Sequence, residues 1–141
     1  MDFMNREEMK NILPHREPML LLDGVYLDEQ GVARSRYEVR GDEFFLQGHF
    51  PGRPVVPGVI LCEMMAQTCC ILVGKINTLA YLTGIEKARF KNTVLPGDTI
   101  EFACTLKNRL GRFFFAKGEG HVRDKLCVSG EFSFVITPEE E

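Results

Sequence analysis

The stretch QGHFPGRPVVPGVILCEMMAQ, residues 47–67, holds the residues best suited to moving a proton. Histidine is the side chain that most readily accepts a proton near neutral pH, and His49 stands just before three prolines spaced three apart. Beyond them lies an almost wholly apolar run that admits one carboxylate, Glu63. Burial among Met and Cys favours the protonated form of a carboxyl group, so Glu63 can donate where His49 accepts. Gln67 follows Glu63 at i+4, on the same helical face, where its amide can orient the carboxyl. Gly58 opens the helix, and an amide at a helix start lacks an internal acceptor and carries partial positive charge. Its N–H is therefore an oxyanion-type donor.

Pro51, Pro54 and Pro57 each fix φ and remove an amide donor, so the segment from His49 to the helix is a stiff loop. Gly52 and Gly58 supply freedom for tight turning, and Pro57-Gly58 stands at the helix entrance, where proline is tolerated. Residues 59–76 contain only Glu63 and Lys75 as charges and no proline, which predicts one long, mostly buried helix with Cys62, Met65, Cys69 and Val73 on a neighbouring apolar face. Glu63, Gln67, Thr68 and Gly74 would be costly in lipid, so the helix reads as a core element and not a membrane span. Taken singly, each signal has an ordinary explanation: a His-Phe-Pro turn that packs, a P-x-x-P ligand, a solvent-facing Glu. The combination points to chemistry, because the helix sequence VILCEMMAQTCCILV surrounds its one carboxylate with apolar neighbours.

The rest of the chain supplies the frame. At 141 residues, with 45% aliphatic and aromatic residues, it fits a single domain, 1–141, with a respectable core. A net charge of -3 without a Lys/Arg block argues against nucleic acid as the main partner. The N-terminus MDFMNREEMKNIL lacks the basic start and cleavage site of a secretory signal, which points to a cytoplasmic protein. Five cysteines, Cys62, Cys69, Cys70, Cys104 and Cys127, show no zinc spacing and read as buried free thiols.

Asn5 and Glu8 have capping-box spacing for a short helix through about residue 13. Two strands follow, one around residues 20–22 and one through Val39, joined by a polar turn at 28–31. YLTGIEKARFKNTV, DTIEFACTLKNRL, GRFFFAKGEGHVR and KLCVSGEFSFVI read as further strands in an antiparallel meander. The expected class is α+β, with an antiparallel sheet wrapped around one long central helix.

GHFPGRPVVPGVILCEMMAQ, together with ILPHREPMLLLDGV near the start and YLTGIEKARFKNTVLPGD after the helix, closely resembles the FabZ-type 3-hydroxyacyl-[acyl-carrier-protein] dehydratases over nearly the whole chain. The resemblance implies a hot-dog fold and dehydration of 3-hydroxyacyl thioesters to trans-2-enoyl products in type II fatty-acid synthesis. It assigns His49 as base toward the Cα proton and Glu63 as the acid assisting the β-hydroxyl. It further implies that Gly58 binds the thioester carbonyl and Gln67 holds Glu63. The family joins the histidine of one subunit to the glutamate of another, so a homodimer is expected, with a hexamer as a trimer of dimers. Tyr81 falls where relatives can carry a tunnel-mouth gate, or is an ordinary strand aromatic.

Lys87, Arg89 and Lys91 alternate along a predicted strand, sharing a face that either meets the acidic acyl carrier protein or is simply solvated. No metal or redox cofactor is expected, the phosphopantetheine arm belonging to the substrate. His15 and Arg16 read as parts of a structural turn, Asp23 as a local cap or pair, and His121 as lacking a carboxylate at useful spacing.

Three alternatives remain: a dehydratase that also isomerises trans-2 to cis-3 enoyl thioesters, a hot-dog thioesterase, and a non-catalytic acyl-thioester-binding module. FabA-type isomerising relatives usually carry aspartate at the position of Glu63. Met64 in place of the family's usual small alanine bears on chain length.

Overall fold

Along the last two strands, and the first half of the one before them, nearly every second side chain is buried, the period of a sheet with one face on a core. A computed structural model describes residues 3–73 and 79–137. The elements are α1 (Arg6–Met9), β1 (Gly24–Leu27), β2 (Ala33–Glu38), a 3-10 turn (Phe44–Leu46), α2 (Gly58–Cys70), a second 3-10 turn (Ile71–Val73), β3 (Ala80–Phe90), β4 (Thr99–Leu110), β5 (Phe113–Val122) and β6 (Lys125–Ile136). The six strands form one antiparallel sheet in the order β1-β2-β4-β5-β6-β3. The expected α+β class, one antiparallel sheet with one central helix, is the architecture found.

Packing explains why a strand as glycine-rich as FFFAKGEGHV forms here. On the inner side of β5 stand Phe114, Ala116, Gly118, Gly120 and Val122, all buried. A Cβ on Gly118 would lie 2.7 Å from Cys104 Sγ and 3.4 Å from Met65 Sδ, so the missing side chain makes room first for Cys104 of β4 and then for Met65 of α2. Met64, Met65 and Cys69 of the helix, with Ile100, Phe102 and Phe132 of the sheet, are almost completely buried in one cluster. Between helix and sheet lies one polar pair: Thr68 Oγ1 donates to Met64 O at 2.8 Å, so Ser35 Oγ is the donor in its 2.6 Å contact with Thr68 Oγ1. Both hydroxyls are thereby satisfied without water.

Several expectations change. The run 20–22 is no strand; its three leucines are consecutively buried, and the Leu21 amide bonds to the Gln67 side chain instead of a neighbouring strand. Asn5 and Glu8 do make the capping box, but α1 stops at Met9. The central helix ends at Cys70 and tightens into a 3-10 turn, while residues 74–76 lie outside the described residues. The meander holds for β4-β5-β6 alone, because α2 carries the chain across and β3 joins the far side of β6.

β3 is therefore an eleven-residue edge strand. Among its side chains Leu82, Ile85 and Phe90 are exposed. A register shift between Glu86 and Arg89, with Lys87 at φ 57°, bends it as bulges do.

Candidate active site

The proline loop is tied at its base. Val55 N donates to His49 O at 2.9 Å, and the His49 ring nitrogen Nδ1 lies 2.9 Å from Val55 O. A carbonyl only accepts, so Nδ1 carries the proton and Nε2 keeps its lone pair. His49 N also donates to Leu46 O, Val56 N to Val94 O, and the ring stacks on Phe50 at 4.2 Å. Gly48 and Gly52 adopt positive φ, at 84° and 74°, where a side chain would be strained. The loop thus presents one defined imidazole whose Nε2 has no hydrogen-bond partner among the described residues.

Pro57 caps α2, and its carbonyl accepts from Ile60 and Leu61. The Gly58 amide has no acceptor among the described residues and sits at the positive end of the helix dipole. His49, Gly58, Leu61, Phe90 and Lys91 line one cavity of about 560 Å³. An imidazole base and an oxyanion-type donor share this space.

Glu63 is not in its lining. Five residues along an α-helix turn about 140° and rise about 7.5 Å, which puts Glu63 on another face from Gly58. There Gln67 Nε2 donates to Glu63 Oε2 at 2.9 Å and to Met19 O at 2.6 Å, while Gln67 Oε1 accepts from Leu21 N at 3.0 Å. Gln67 itself is fully buried. The structure brings together His49 with Gly58, and Glu63 with Gln67, but no contact joins the two pairs among the described residues.

The expected burial of Glu63 is only partial: its side chain is 30% exposed. The helix packs one face on the sheet, and the stripe holding Glu63 and Val59, itself 75% exposed, lies open. Cys70, about two turns further along, has its thiol pushed up to about 12 by burial, with the Glu63 charge adding to the effect. All five cysteines are free thiols, as expected.

His15, taken from the sequence as part of a turn, brings its imidazole to Glu63, with Nε2 3.9 Å from Oε2. Forty-eight residues separate the two, and no spacing rule links a loop to a helix across that distance. Arg16 does serve the turn, donating to the carbonyls of Lys10, Leu13 and His15. Asp23 does pair, though not locally: its partners Arg6 and Arg40 each stand seventeen residues away along the chain. His121 does have a carboxylate near, Glu119 at 3.6 Å, because alternate residues of a strand share a face.

Lys87, Arg89 and Lys91 do not share one face. The bulge leaves Lys87 and Arg89 beside a depression of about 540 Å³ on the side of the sheet away from α2, with Arg34 and Lys117. Lys91 follows the strand and lines the His49 cavity. Tyr81 is exposed on β3, opposite Val135, and outside that cavity's lining.

One antiparallel sheet with a buried helix on its inner face is the hot-dog fold. The solved dehydratase heterocomplex ApeI:P from Xenorhabdus doucetiae superposes with a TM-score of 0.80 at 22% identity, covering 92% of this chain and 91% of that one. A sequence profile of the ApeI-like family, described as ApeI dehydratase, matches residues 27–131. The 3-hydroxyacyl-[acyl-carrier-protein] dehydratase FabZ of Petrotoga mobilis is 40% identical over 131 residues, 91% of this chain and 94% of that protein. FabZ of Clostridium perfringens is 40% identical over 137 residues, 94% of this chain and 99% of that protein. The chain belongs to the FabZ-type family of hot-dog dehydratases.

Proposed function

We propose that this protein is a hydro-lyase that converts 3-hydroxyacyl-[acyl-carrier-protein] to trans-2-enoyl-[acyl-carrier-protein] in fatty-acid biosynthesis. The observation that carries the mechanism is the hydrogen bonding of His49: Nδ1–H is spent on Val55 O, which leaves Nε2 as the base of a ring that lines the cavity at the helix start. The thioester carbonyl accepts from the Gly58 N–H, which acidifies the Cα–H. His49 Nε2 takes that proton, and the electron pair forms the Cα=Cβ bond as the Cβ–O bond breaks. Glu63, held by Gln67, gives its proton to the departing hydroxyl, and water leaves. These groups suffice for the elimination, and the phosphopantetheine arm arrives with the substrate.

A substrate must reach both His49 and Glu63, and one chain keeps Glu63 outside the lining of the cavity that holds His49. A second copy supplies the missing half. Two features support a homodimer: the unpaired edge of β3, a long strand with exposed apolar side chains that asks for cover, and the open stripe of α2 beside Glu63. The dimer is the unit of catalysis in this reading, with a trimer of dimers as the larger assembly. The acyl carrier protein docks by its acidic surface on Lys87 and Arg89, Lys91 meets the phosphate of its arm at the His49 cavity, and Tyr81 gates the tunnel mouth. The enzyme works in the cytoplasm; no helix among the described residues is long and apolar enough to cross a membrane.

The test is product analysis with purified protein and a 3-hydroxyacyl carrier-protein thioester. Loss of one water with a trans-2 double bond is the expected result. A cis-3 product adds isomerase activity, release of free thiol marks a thioesterase, and an unchanged substrate supports a binding module.

A further inference from the structure

The loop after α1 carries a second imidazole to the helix carboxylate. His15 Nε2 lies 3.9 Å from Glu63 Oε2, and the His15 side chain is 24% exposed. The other ring nitrogen, Nδ1, is buried with no hydrogen-bond partner among the described residues. Arg16 ties the surrounding carbonyls, and Leu13 and Leu20 on either side are buried, so the loop is anchored in this pose.

These facts assign the proton. A buried N–H without an acceptor is costly, so a ring with Nδ1 unpaired keeps that nitrogen bare and carries its hydrogen on Nε2. Burial lowers the His15 pKa, against the Glu63 carboxylate, which raises it, and with Arg16, which lowers it. The neutral ring is the form this surrounding favours. Glu63 in turn faces His15, Gln67 and Cys70, the last a thiol that stays protonated. Its Oε2 therefore accepts from the Gln67 amide and faces the His15 Nε2–H at 3.9 Å, while Oε1 takes no hydrogen bond among the described residues.

We infer that His15 is a positioning residue for Glu63: its neutral Nε2–H and the Gln67 amide hold Oε2, so that Oε1 is presented to the leaving hydroxyl and the carboxylate is steadied once its proton has gone. The inference rests on the reading of Glu63 as the acid. The separation of 3.9 Å is longer than a hydrogen bond. Contacts of this kind are often long in a substrate-free site and tighten in the substrate complex.

The test is steady-state dehydration of a 3-hydroxybutyryl carrier-protein thioester by wild type, His15→Leu, His15→Gln, Glu63→Gln and the double variant His15→Leu/Glu63→Gln. In the wild-type background His15→Leu lowers kcat on the order of 10- to 100-fold, as misplacement of a reacting group does, with KM little changed. His15→Gln, whose amide can occupy the place of Nε2–H, recovers most of the loss. Adding His15→Leu to Glu63→Gln costs nothing more, because the residue acts through the carboxylate already removed. Wild-type kcat in His15→Leu, no recovery in His15→Gln, or an equal loss in both backgrounds would overturn the inference.

Nitrogen NMR of wild type and Glu63→Gln decides the matter even where His15→Leu does not fold. The expected wild-type ring carries its proton on Nε2, and its nitrogen shifts move in Glu63→Gln, where the acceptor facing Nε2 has changed. A ring protonated on Nδ1, or one with identical nitrogen shifts in both proteins, would contradict the coupling. If wild type turns over no substrate the proposed reaction fails, and the NMR comparison still judges the His15–Glu63 contact.

Discussion

Gln67 binds the helix carboxylate to the loop of residues 19–21. Its amide nitrogen donates to Glu63 Oε2 and Met19 O, and its carbonyl accepts from the Leu21 amide. Gln67→Leu keeps the volume and removes all three partners. Orphaning the buried Leu21 amide and the Met19 carbonyl costs about 1–3 kcal/mol for each group, so the midpoint of urea unfolding falls. With Glu63 no longer oriented, kcat falls on the order of 100-fold even at temperatures where the variant is folded. A variant that loses stability but keeps its kcat would separate Gln67 from the chemistry.

Gly58→Ala gives the opposite pairing of effects. Gly58 opens the helix, where alanine gains little of its interior advantage over glycine, and the ring it meets is a partly exposed side chain, so the melt is little changed. The amide donor also remains. Yet the new Cβ would sit 2.8 Å from Phe90 Cε1, so the ring must shift within the cavity it shares with His49. A kcat/KM lowered about tenfold, without loss of stability, is the outcome expected of a displaced wall in a site that positions its substrate.

The loop leading to His49 carries a pH dependence of stability. Glu43 accepts from Tyr37 Oη at 2.7 Å and from the Arg40 and Gly41 amides at 2.8 Å. Burial alone would raise its pKa, but these donors win and hold it below its ordinary value of 4.5. A depressed carboxylate stabilises the fold above its unfolded pKa, and that gain disappears as the pH falls through the folded value. Glu43→Gln should therefore be less stable than wild type at pH 7, by about 1–2 kcal/mol. The gap should close below the ordinary carboxylate range, as followed by urea melts across pH. A constant gap would place the effect in packing instead.

How far the sequence could be read depends on the range of each interaction. The strands β4, β5 and β6 and the capping box at Asn5 rest on local signals, and they are found where the sequence puts them. Glu63 and Gln67 are also local, one helical turn apart, and they do meet. The run 20–22 was misleading because three consecutive buried leucines look like a strand, whereas their backbone is satisfied by a side chain far along the chain. His15 could not be placed for the same reason. The glycines of β5 weaken its strand signal, and their purpose, room for Cys104 and Phe102 of β4 and, at Gly118, for Met65 of α2, becomes visible only when the elements meet. Lys91 separates from Lys87 and Arg89 through a bulge that simple alternation does not contain.

The central claim is that His49 and Glu63 act on one substrate across two copies of the chain. The most direct measurement mixes His49→Ala and Glu63→Ala subunits after co-refolding and follows dehydration of a 3-hydroxyacyl carrier-protein thioester. Each variant alone should be nearly inactive. Random pairing makes half of the dimers mixed, each with one intact site, so activity should return to about one quarter of wild type. Inactive variants that stay inactive when mixed, although mixed dimers are shown to form, would contradict the shared site; either variant alone at wild-type rate would contradict the acid and base assignment itself.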